Sequence, residues 1–243
     1  MVNSHAEVLA IVPARAGSKG ISRKNLSEVA GRSLIAWACS VAAAAPSVGH
    51  VVITTDDEAM ADEGLAHGAD AVVKRPVLLA TDEATAARTW QHAWEHAESA
   101  LDGRFDMCVW LQPTSPARTV EDIERTVAAL ANTEAGSAVT VSPVPSHFAP
   151  EKQLVTTPEG YLVPYVAGQA PNTRRQEIGA SYWLNGHCYA VRRDPFLKDG
   201  VVIARDAVPV VIDRPTVNID EPFDLEVARW LLASPTVTDC ERS

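Results

Sequence analysis

Short apolar runs alternate with helical patterns along about the first 140 residues, and this alternation constrains the fold more than any other feature. The strand-like runs are Val8–Val12, Val51–Thr55, Ala71–Val73 and Met107–Leu111. The helical patterns cover about Ser33–Ala44, Asp57–His67 and Asp82–Leu101, and another opens at Thr119. Because the runs are apolar and too short to be helices, they are typical of strands buried on both faces. The alternation predicts parallel strands joined by right-handed helical crossovers, which is a doubly wound, mostly parallel α/β sheet.

The second half of the chain continues this pattern after an interruption. Repeated prolines break any regular pattern between Ser142 and about Asn185, whereas strands are predicted at Tyr189–Val191 and Val208–Ile212, and a closing helix at Phe223–Leu232. A segment of that length without periodicity is usually a substrate loop, a lid or an intersubunit arm. The sequence therefore predicts one domain over residues 1–243, with residues 142–185 as an irregular excursion.

The overall charge limits the classes of partner. The 243 residues carry 21 Lys and Arg against 31 Asp and Glu, a net charge of -10. General binding of nucleic acid or of a membrane surface needs broad positive patches, so neither partner is expected. No stretch approaches the roughly 20 apolar residues that span a bilayer, and Met1–Glu7 lack the pattern of a secretion signal. A cytoplasmic enzyme is the expectation.

One local cluster of positive charge runs against this acidic background. The loop after the first strand holds Arg15, Lys19, Arg23 and Lys24 within ten residues. Its glycines, Gly17 and Gly20, have no Cβ atom, which allows positive φ and lets main-chain N–H groups approach an oxygen-rich ligand. The glycine spacing fits neither the Walker pattern nor the dinucleotide fingerprint. An anionic ligand is indicated, most simply a nucleoside triphosphate, and the alternative is an ordinary loop with solvated cations.

Other polar segments also follow predicted strands. Asp56 ends the second strand, Gln112–Arg118 follow the strand at Met107–Leu111, and Asn218–Asp220 precede the final helix. Ligands of open parallel sheets bind outside the carboxyl ends of the strands. These segments are therefore expected to meet the cationic loop in one crevice.

The motifs together resemble the acylneuraminate (CMP-sialic acid) cytidylyltransferase family, in the same order and over nearly the whole chain. The matching segments are Pro13–Gly20 with Lys24-Asn25, Thr54–Asp56, Arg75-Pro76, Leu111–Pro116 with Arg118, and Asn185–Tyr189. The resemblance implies a Rossmann-like nucleotidyltransferase fold and transfer of CMP from CTP to a small acidic acceptor, with release of pyrophosphate. It also implies a requirement for Mg²⁺, for which Mn²⁺ can substitute, and a homodimer whose irregular middle segment reaches the neighbouring subunit.

The resemblance also assigns roles to residues of the nucleotide site. The implied nucleotide-binding residues are Ala14, Arg15, Gly17, Ser18, Lys19, Asn25, Asp56 and Arg75. The implied catalytic residues are Arg15, Lys19, Lys24 and Asp220, since cations and metal stabilise the charge that develops on the departing pyrophosphate. The alternative for Arg75 is a surface cation ahead of Pro76.

The acceptor site is less fully specified. The resemblance places Gln112, Lys152, Arg174, Arg175 and Tyr189 at the acceptor, with contact to the nucleotide as the alternative for Gln112. Two prolines after Gln112 fix its loop, although a turn residue that satisfies the local backbone would give the same pattern. Arg118 has its own alternative, a surface contact with Asp122 four residues along a helix.

The sequence departs from the family at the implied metal site. Family members have two carboxylates two residues apart, where this chain has Asn218 and Asp220. An amide oxygen can still bind Mg²⁺, but it adds no negative charge, so the ion would depend on Asp220 and on phosphate oxygens. The alternative role of Asp220 is to cap the last helix. The departure also keeps open a catalytically silent nucleotide-binding paralogue.

Val201–Ile203 bear on the identity of the acceptor. They occupy a stretch where sialate-using members carry aromatic residues, which favours a different acid, and a small phosphonate of a natural-product pathway is the first expectation. Its anionic oxygen would attack the α-phosphorus without a strong general base. A nonulosonic acid sugar is the alternative. A nucleotidyltransferase for a neutral sugar phosphate would instead accept UTP or GTP as well as CTP.

Overall fold

The computed structural model describes residues 8–17, 20–168 and 179–233. Its strands are β1 (Val8–Ala14), β2 (Glu28–Val29), β3 (Arg32–Ser33), β4 (Val48–Thr55), β5 (Ala71–Lys74), β6 (Met107–Trp110), β7 (Ser137–Pro143), β8 (Leu154–Thr156), β9 (Leu162–Pro164), β10 (Tyr182–Arg192) and β11 (Val208–Val211). Its α-helices are α1 (Leu34–Ala43), α2 (Glu58–Ala66), α3 (Ala86–Leu101), α4 (Val120–Ala131), α5 (Arg193–Asp199) and α6 (Pro222–Ala233). No α-helix among the described residues is long and apolar enough to cross a bilayer.

Seven strands form the central sheet, in the order β11-β7-β10-β6-β1-β4-β5. All neighbouring pairs are parallel except those that β10 makes with β6 and β7. The predicted doubly wound, mostly parallel sheet is therefore confirmed.

Both faces of this sheet are covered, as the apolar runs predicted. Along β1, Val8, Ala10 and Val12 pack with α1, α2 and α4, whereas Leu9 and Ile11 pack with α3 and α5 on the other face. Successive residues of a strand point to opposite faces, so a strand between two helical layers has to be apolar throughout. This is why β1 is recognisable from its sequence.

Local capping chemistry sets the helix boundaries. Ser33 and Asp57 accept hydrogen bonds from main-chain N–H groups of the first turns of α1 and α2, and Gly68 follows α2 with φ 105°. Thr119 forms a capping box with Asp122 at the start of α4. One boundary differs from the prediction, because Thr85 caps α3 and the helix begins at Ala86 rather than at Asp82.

The antiparallel strand β10 is longer than predicted. It runs over Tyr182–Arg192, whereas apolar character predicted only Tyr189–Val191. The register of β10 on β7 shifts between Leu184 and Tyr189, so the polar residues between them leave the regular pairing. The sequence also did not predict β7 or α5 as separate elements.

The excursion at residues 142–185 contains regular structure that its prolines seemed to exclude. The strands β8 and β9 pair as a hairpin, with Pro158 and Gly160 (φ 87°) in its turn and Pro164 at a strand end. At such positions proline removes no ladder hydrogen bond. Within the described part of the excursion, the expectation of an irregular segment was wrong for this hairpin.

Candidate active site

A cleft of about 570 Å³ lies at the carboxyl ends of β1 and β6. Its lining residues are Pro13, Arg15, Gly20, Lys24, Asn25, Arg75, Leu79, Thr81, Asp82, Ala84, Ala86, Thr89, Trp110, Gln112, Pro113, Thr114, Asn218 and Asp220. Seven of them are residues singled out from the sequence: Arg15, Lys24, Asn25, Arg75, Gln112, Asn218 and Asp220. The structure thus brings together loops that are separated by up to about 200 positions in the chain.

The cationic loop is held by side chains on both sides of it. Asn25 is buried and donates from Nδ2 to the main-chain oxygen of Arg15 at 3.1 Å. Asp56 accepts a hydrogen bond from the main-chain N–H of Ala16 at 2.9 Å. Asp56 does not line the cleft, so its contact in this structure is to the loop itself.

The two glycines of this loop, Gly17 and Gly20, differ in their surroundings. In its described part, the left-handed conformation is found at Arg23 (φ 49°) and not at Gly17. Gly20 is required for a close approach, because a Cβ there would stand 2.5 Å from the main-chain oxygen of Asp220. A side chain at Gly20 would therefore push the loop away from the segment before α6.

Lys24 connects the loop to that same segment. Its Nζ donates to the main-chain oxygen of Ile219 at 2.8 Å and lies 3.1 Å from Oδ1 of Asp220. Only 15% of the Lys24 side chain is exposed, and the exposed part lines the cleft. The ammonium group is therefore fixed in position before any ligand arrives.

Arg15 also has a carboxylate partner. Its guanidinium lies 2.8 Å from Oδ1 of Asp82, which belongs to the segment between β5 and α3. Both groups line the cleft and both are partly exposed. An anionic ligand in the cleft would compete with Asp82 for Arg15.

Arg75 lies in the wall of the cleft. It is 6% exposed and donates to the main-chain oxygen of Thr54 at 2.9 Å, while its Nε is buried without a hydrogen-bond partner. Burial lowers the pKa of Arg75 to about 10, against the opposing effect of Asp56, so the group stays charged at neutral pH. The alternative of a surface cation is wrong, because the side chain is buried in the wall of the cleft.

The side chain of Gln112 lies over the irregular part of β10. Gly186 has φ 77°, and a Cβ on it would stand 3.0 Å from Oε1 of Gln112 and 3.7 Å from Cγ of Asn218. Gly186 thus allows the side chains of Gln112 and Asn218 to approach the same point of the main chain. Both then line the cleft.

The segment Val217–Asp220 alternates between core and cleft. Val217 and Ile219 are buried in an apolar cluster with α6, so Asn218 and Asp220 point the other way. The Oδ1 atom of Asn218 is buried without a hydrogen-bond partner. Asp220 is bonded to Lys24, and the side chain that accepts from the main-chain N–H groups of Asp220 and Glu221 is that of Asp224.

Behind the cleft lies a buried charged cluster that the sequence did not reveal. Asp122 accepts from Nδ1 of His187 at 2.9 Å and from Arg214 at 2.8 Å. Burial alone would raise the pKa of Asp122, but the hydrogen bonds from His187 and Arg214 hold it well below its usual value. Burial lowers the pKa of His187. These three residues come from distant parts of the chain, and nothing in their spacing predicts the contact.

Arg118 does not make the surface contact with Asp122 that one interpretation of the sequence allowed. It is 4% exposed, and its guanidinium donates to main-chain oxygens of Gln112, Gly186 and His187. Asp122 is occupied by His187 and Arg214 instead.

Several other candidate residues do not line the cleft. Ala14 is buried at the end of β1, and Gly17 is exposed on the loop. Lys152 ends a short 3₁₀ helix at Pro150–Lys152, and Tyr189 packs against the apolar cluster that contains Trp110. The remaining candidates, Ser18, Lys19, Arg174 and Arg175, lie outside the described residues.

The segment Val201–Ile203 lies at the end of the sheet opposite the cleft, near the amino ends of the parallel strands. The strand before them ends at Arg192, which pairs with Met107 at the start of β6, and Ala204 donates to Oγ of Ser137 at the start of β7. The cleft is at the carboxyl ends of the parallel strands. Within one subunit, the missing aromatic residues therefore give no information about the acceptor.

Comparisons with known proteins agree with this geometry. Residues 9–176 match the family model described as "Cytidylyltransferase". The CMP-N,N'-diacetyllegionaminic acid synthase of Legionella pneumophila is 29% identical over 93% of this chain and 96% of that protein. An N-acylneuraminate cytidylyltransferase of Escherichia coli is 27% identical over 91% of this chain and 51% of that protein. A solved CMP:2-keto-3-deoxy-manno-octonic acid synthetase complexed with CTP shares the fold, with TM-score 0.66, 18% identity and coverage of 93% of this chain and 98% of that one.

Proposed function

Because this chain belongs to the cytidylyltransferase family and is a CTP-dependent nucleotidyltransferase of the sialic-acid type, we propose that it transfers CMP to a nonulosonic acid. The observation that carries the proposal is the cleft in which Arg15, Lys24 and Arg75 meet Gln112 and Asn218. Two relatives that match along more than nine-tenths of this chain are named for acids of this class.

In the proposed reaction a hydroxyl oxygen of the acid attacks the α-phosphorus of CTP and loses its proton to solvent water. The bond from that phosphorus to the bridging oxygen breaks, and pyrophosphate leaves with the electron pair. Negative charge grows on the leaving group, so cations already fixed in position lower the barrier. Lys24 meets this requirement because its ammonium is held by Ile219 and Asp220. Arg15 would exchange its contact with Asp82 for the phosphates.

Arg75 suits the nucleoside part of CTP. Its buried Nε is unsatisfied, and a planar guanidinium donates in fixed directions. Asn25 also lines the cleft, and it holds the main chain of Arg15. The resemblance placed both residues on the nucleotide, and their positions on the cleft support that role.

Mg²⁺ is the cofactor proposed for this site, with Mn²⁺ as a substitute. Asp220 offers a carboxylate and Asn218 a buried amide oxygen that has no partner, and both are oxygen ligands of the kind that Mg²⁺ prefers. Among the described residues, no group of three or more His, Cys, Asp or Glu could hold a metal. Phosphate oxygens of CTP would therefore supply much of the coordination, and the bound ion would neutralise phosphate charge.

Changing Asn218→Asp is expected to lower the Mg²⁺ concentration for half-maximal activity by about fivefold, because a second carboxylate adds negative charge to the site. Asn218→Ala is expected to raise that concentration. Titrating Mg²⁺ against pyrophosphate release measures both. Asn132→Asp adds the same charge on the exposed end of α4 and serves as the control. Equal Mg²⁺ requirements in all these proteins would contradict the assignment of Asn218.

A small phosphonate is the second candidate acceptor. The two carboxylates that line the described cleft, Asp82 and Asp220, are each paired with a cation. Neither is placed as a free general base, which a hydroxyl acceptor would use and an anionic phosphonate oxygen would not. The argument from Val201–Ile203 no longer supports this candidate, because that segment lies away from the cleft.

One assay separates these possibilities. The purified chain is incubated with CTP, Mg²⁺ and either nonulosonic acids or small phosphonates, and pyrophosphate release and the mass of the CMP product are measured. A CMP-nonulosonate supports the proposal, and a CMP-phosphonate supports the second candidate. Equal use of UTP or GTP with neutral sugar phosphates would overturn both. CTP binding without release for every acceptor would contradict the proposed transfer.

We also propose that the chain forms a homodimer through an apolar arm made of β8, β9 and the start of β10. Its exposed side chains are Leu154, Val155, Tyr161, Leu162, Val163, Tyr165, Tyr182, Trp183 and Leu184. A two-stranded hairpin is barely stable alone in water, and a large exposed apolar patch usually marks an interface. A second copy of the chain would cover this surface.

Light scattering coupled to size-exclusion chromatography is expected to give the mass of a dimer at micromolar concentration. The substitution Leu162→Glu is expected to shift the measured mass toward that of the monomer. A charge at this 67% exposed position would be buried in the interface without a partner. Phe223→Glu, at an exposed apolar position on α6, is the control. A wild-type monomer at these concentrations would contradict the proposal.

A further inference from the structure

Arg118 is a buried cation that joins the cleft segment at Gln112 to the main chain of β10, and it does not itself line the cleft. Its guanidinium donates to the main-chain oxygens of Gln112 at 2.6 Å, Gly186 at 3.4 Å and His187. Gln112 follows β6, whereas the other two residues belong to the irregular part of β10. One side chain therefore fixes the distance between these two pieces of main chain.

The side chain of Gln112 lies between the same two pieces. Its Oε1 is 3.0 Å from where a Cβ of Gly186 would be, so the amide rests directly on the main chain of β10. Ser115 adds a second connection, since its Oγ donates to the main-chain oxygen of Asn185 at 3.3 Å. A change in the distance between these two main-chain segments would move the Gln112 amide relative to the cleft.

We propose that Arg118 is a positioning residue for CMP transfer, which sets the place of the Gln112 amide against the acceptor. The inference rests on the proposed function, in which Gln112 contacts the acceptor. A guanidinium suits this task because its planar group donates to several carbonyls in fixed directions, whereas an ammonium is a compact charge on a flexible stem. The effect of Arg118 on the reaction passes through Gln112 rather than through the nucleotide.

The test is Arg118→Lys, which keeps the positive charge and loses the planar group that donates in fixed directions. The KM for the acceptor is expected to rise about tenfold, the factor for roughly one lost charge-assisted hydrogen bond. The Kd for CTP is expected to stay within about twofold, because Arg15, Lys24 and Arg75 belong to other elements and additivity holds for independent sites. In a Gln112→Ala background the lysine substitution is expected to cause no further rise in KM.

The chain contains a matched control in Arg192. Arg192 lies on β10, the strand to which Arg118 donates, and it likewise donates to three main-chain oxygens, those of Leu130, Thr133 and Ala135. Its strand position pairs with Met107 at the edge of the sheet away from the cleft. Arg192→Lys is expected to lower the melting temperature by a similar amount and to leave the KM for the acceptor unchanged.

A second measurement does not depend on the acceptor. In protein labelled with ¹⁵N-glutamine, the side-chain amide signal of Gln112, assigned by its loss in Gln112→Ala, is expected to shift or broaden in Arg118→Lys and to stay unchanged in Arg192→Lys. The wild-type protein could be inactive with every acid tested while the Gln112 signal changes only in Arg118→Lys. In that case the proposed function fails, and the positioning of the Gln112 amide by Arg118 stands.

An unchanged Gln112 signal, or equal kinetic losses in the two arginine variants, would overturn the positioning role. Full additivity of Arg118→Lys with Gln112→Ala would overturn it as well. Should Arg118→Lys not fold, Arg118→Gln, which keeps a planar donor group without the charge, is measured in the same way against the same outcomes.

Discussion

Replacing Lys24 by methionine is expected to lower kcat by about 100- to 1,000-fold, the loss typical when one preorganised group at developing charge is removed. The ammonium lies on the cleft and is held at 2.8 Å from the main-chain oxygen of Ile219. Methionine keeps most of the apolar stem and removes only the charged end. Steady-state pyrophosphate release and calorimetric titration with CTP measure turnover and binding separately.

The neighbouring Arg23 supplies the matched control for this variant. Its guanidinium pairs with Asp57 at 3.0 Å and does not line the cleft, although it follows the same loop. Because an exposed ion pair contributes about 0 to 1 kcal/mol, Arg23→Met is expected to keep kcat within about fivefold of wild type. Similar losses in the two variants would show that loop charge in general matters, and not the position of Lys24.

Replacing Asp122 by asparagine is expected to lower the free energy of unfolding by about 3 to 5 kcal/mol, the cost of breaking a buried ion pair from one side. The carboxylate is buried and accepts from His187, Arg214 and the main-chain N–H of Thr119. An amide turns its N–H groups toward donors and leaves the charge of Arg214 without its partner. Urea denaturation at pH 7 measures the loss.

The same variant is expected to change the acid dependence of stability. The pKa of Asp122 is lowered in the folded state from a value near 4 in the unfolded chain, so its stabilisation is present above about pH 4 and is lost as the pH falls further. Wild type should therefore lose stability more steeply than Asp122→Asn below about pH 4. The lowered pKa of His187 destabilises the fold in acid in both proteins.

Asp194 provides the comparison for Asp122. It also contacts two arginines, Arg104 and Arg193, but 71% of its side chain is exposed. Asp194→Asn is expected to cost less than about 1 kcal/mol, as exposed pairs do. If Asp122→Asn cost no more than this control, the buried cluster would have no special role in stability.

The sequence predicted the features that depend on local chemistry. The fully apolar β1 was predicted from its sequence, and the helical patterns that open at about Ser33, Asp57 and Thr119 begin close to the observed starts of α1, α2 and α4. The carboxyl ends of parallel strands meet at one edge of a sheet, so most of the cleft followed once the strands were known.

Features that depend on distant contacts could not be predicted in this way. Asn185, Gly186 and His187 interrupt the apolar run of β10, and the residues before them form a strand because β7 pairs with them. The partners of Arg118 and Asp122 are found only in the folded chain, so a surface pair between them was the simplest interpretation of their spacing. The location of Val201–Ile203 was likewise set by the direction of β10, which a single sequence does not show.

The contact between Lys24 and Ile219 joins residues 195 positions apart and makes the start and the end of the chain parts of one binding site. Ile219 packs with α6, the last described helix. A ligand that stabilises the loop around Lys24 must, by thermodynamic reciprocity, also stabilise the docking of that helix. Amide exchange in α6 would thus report whether nucleotide occupies the cleft at the end of the first strand.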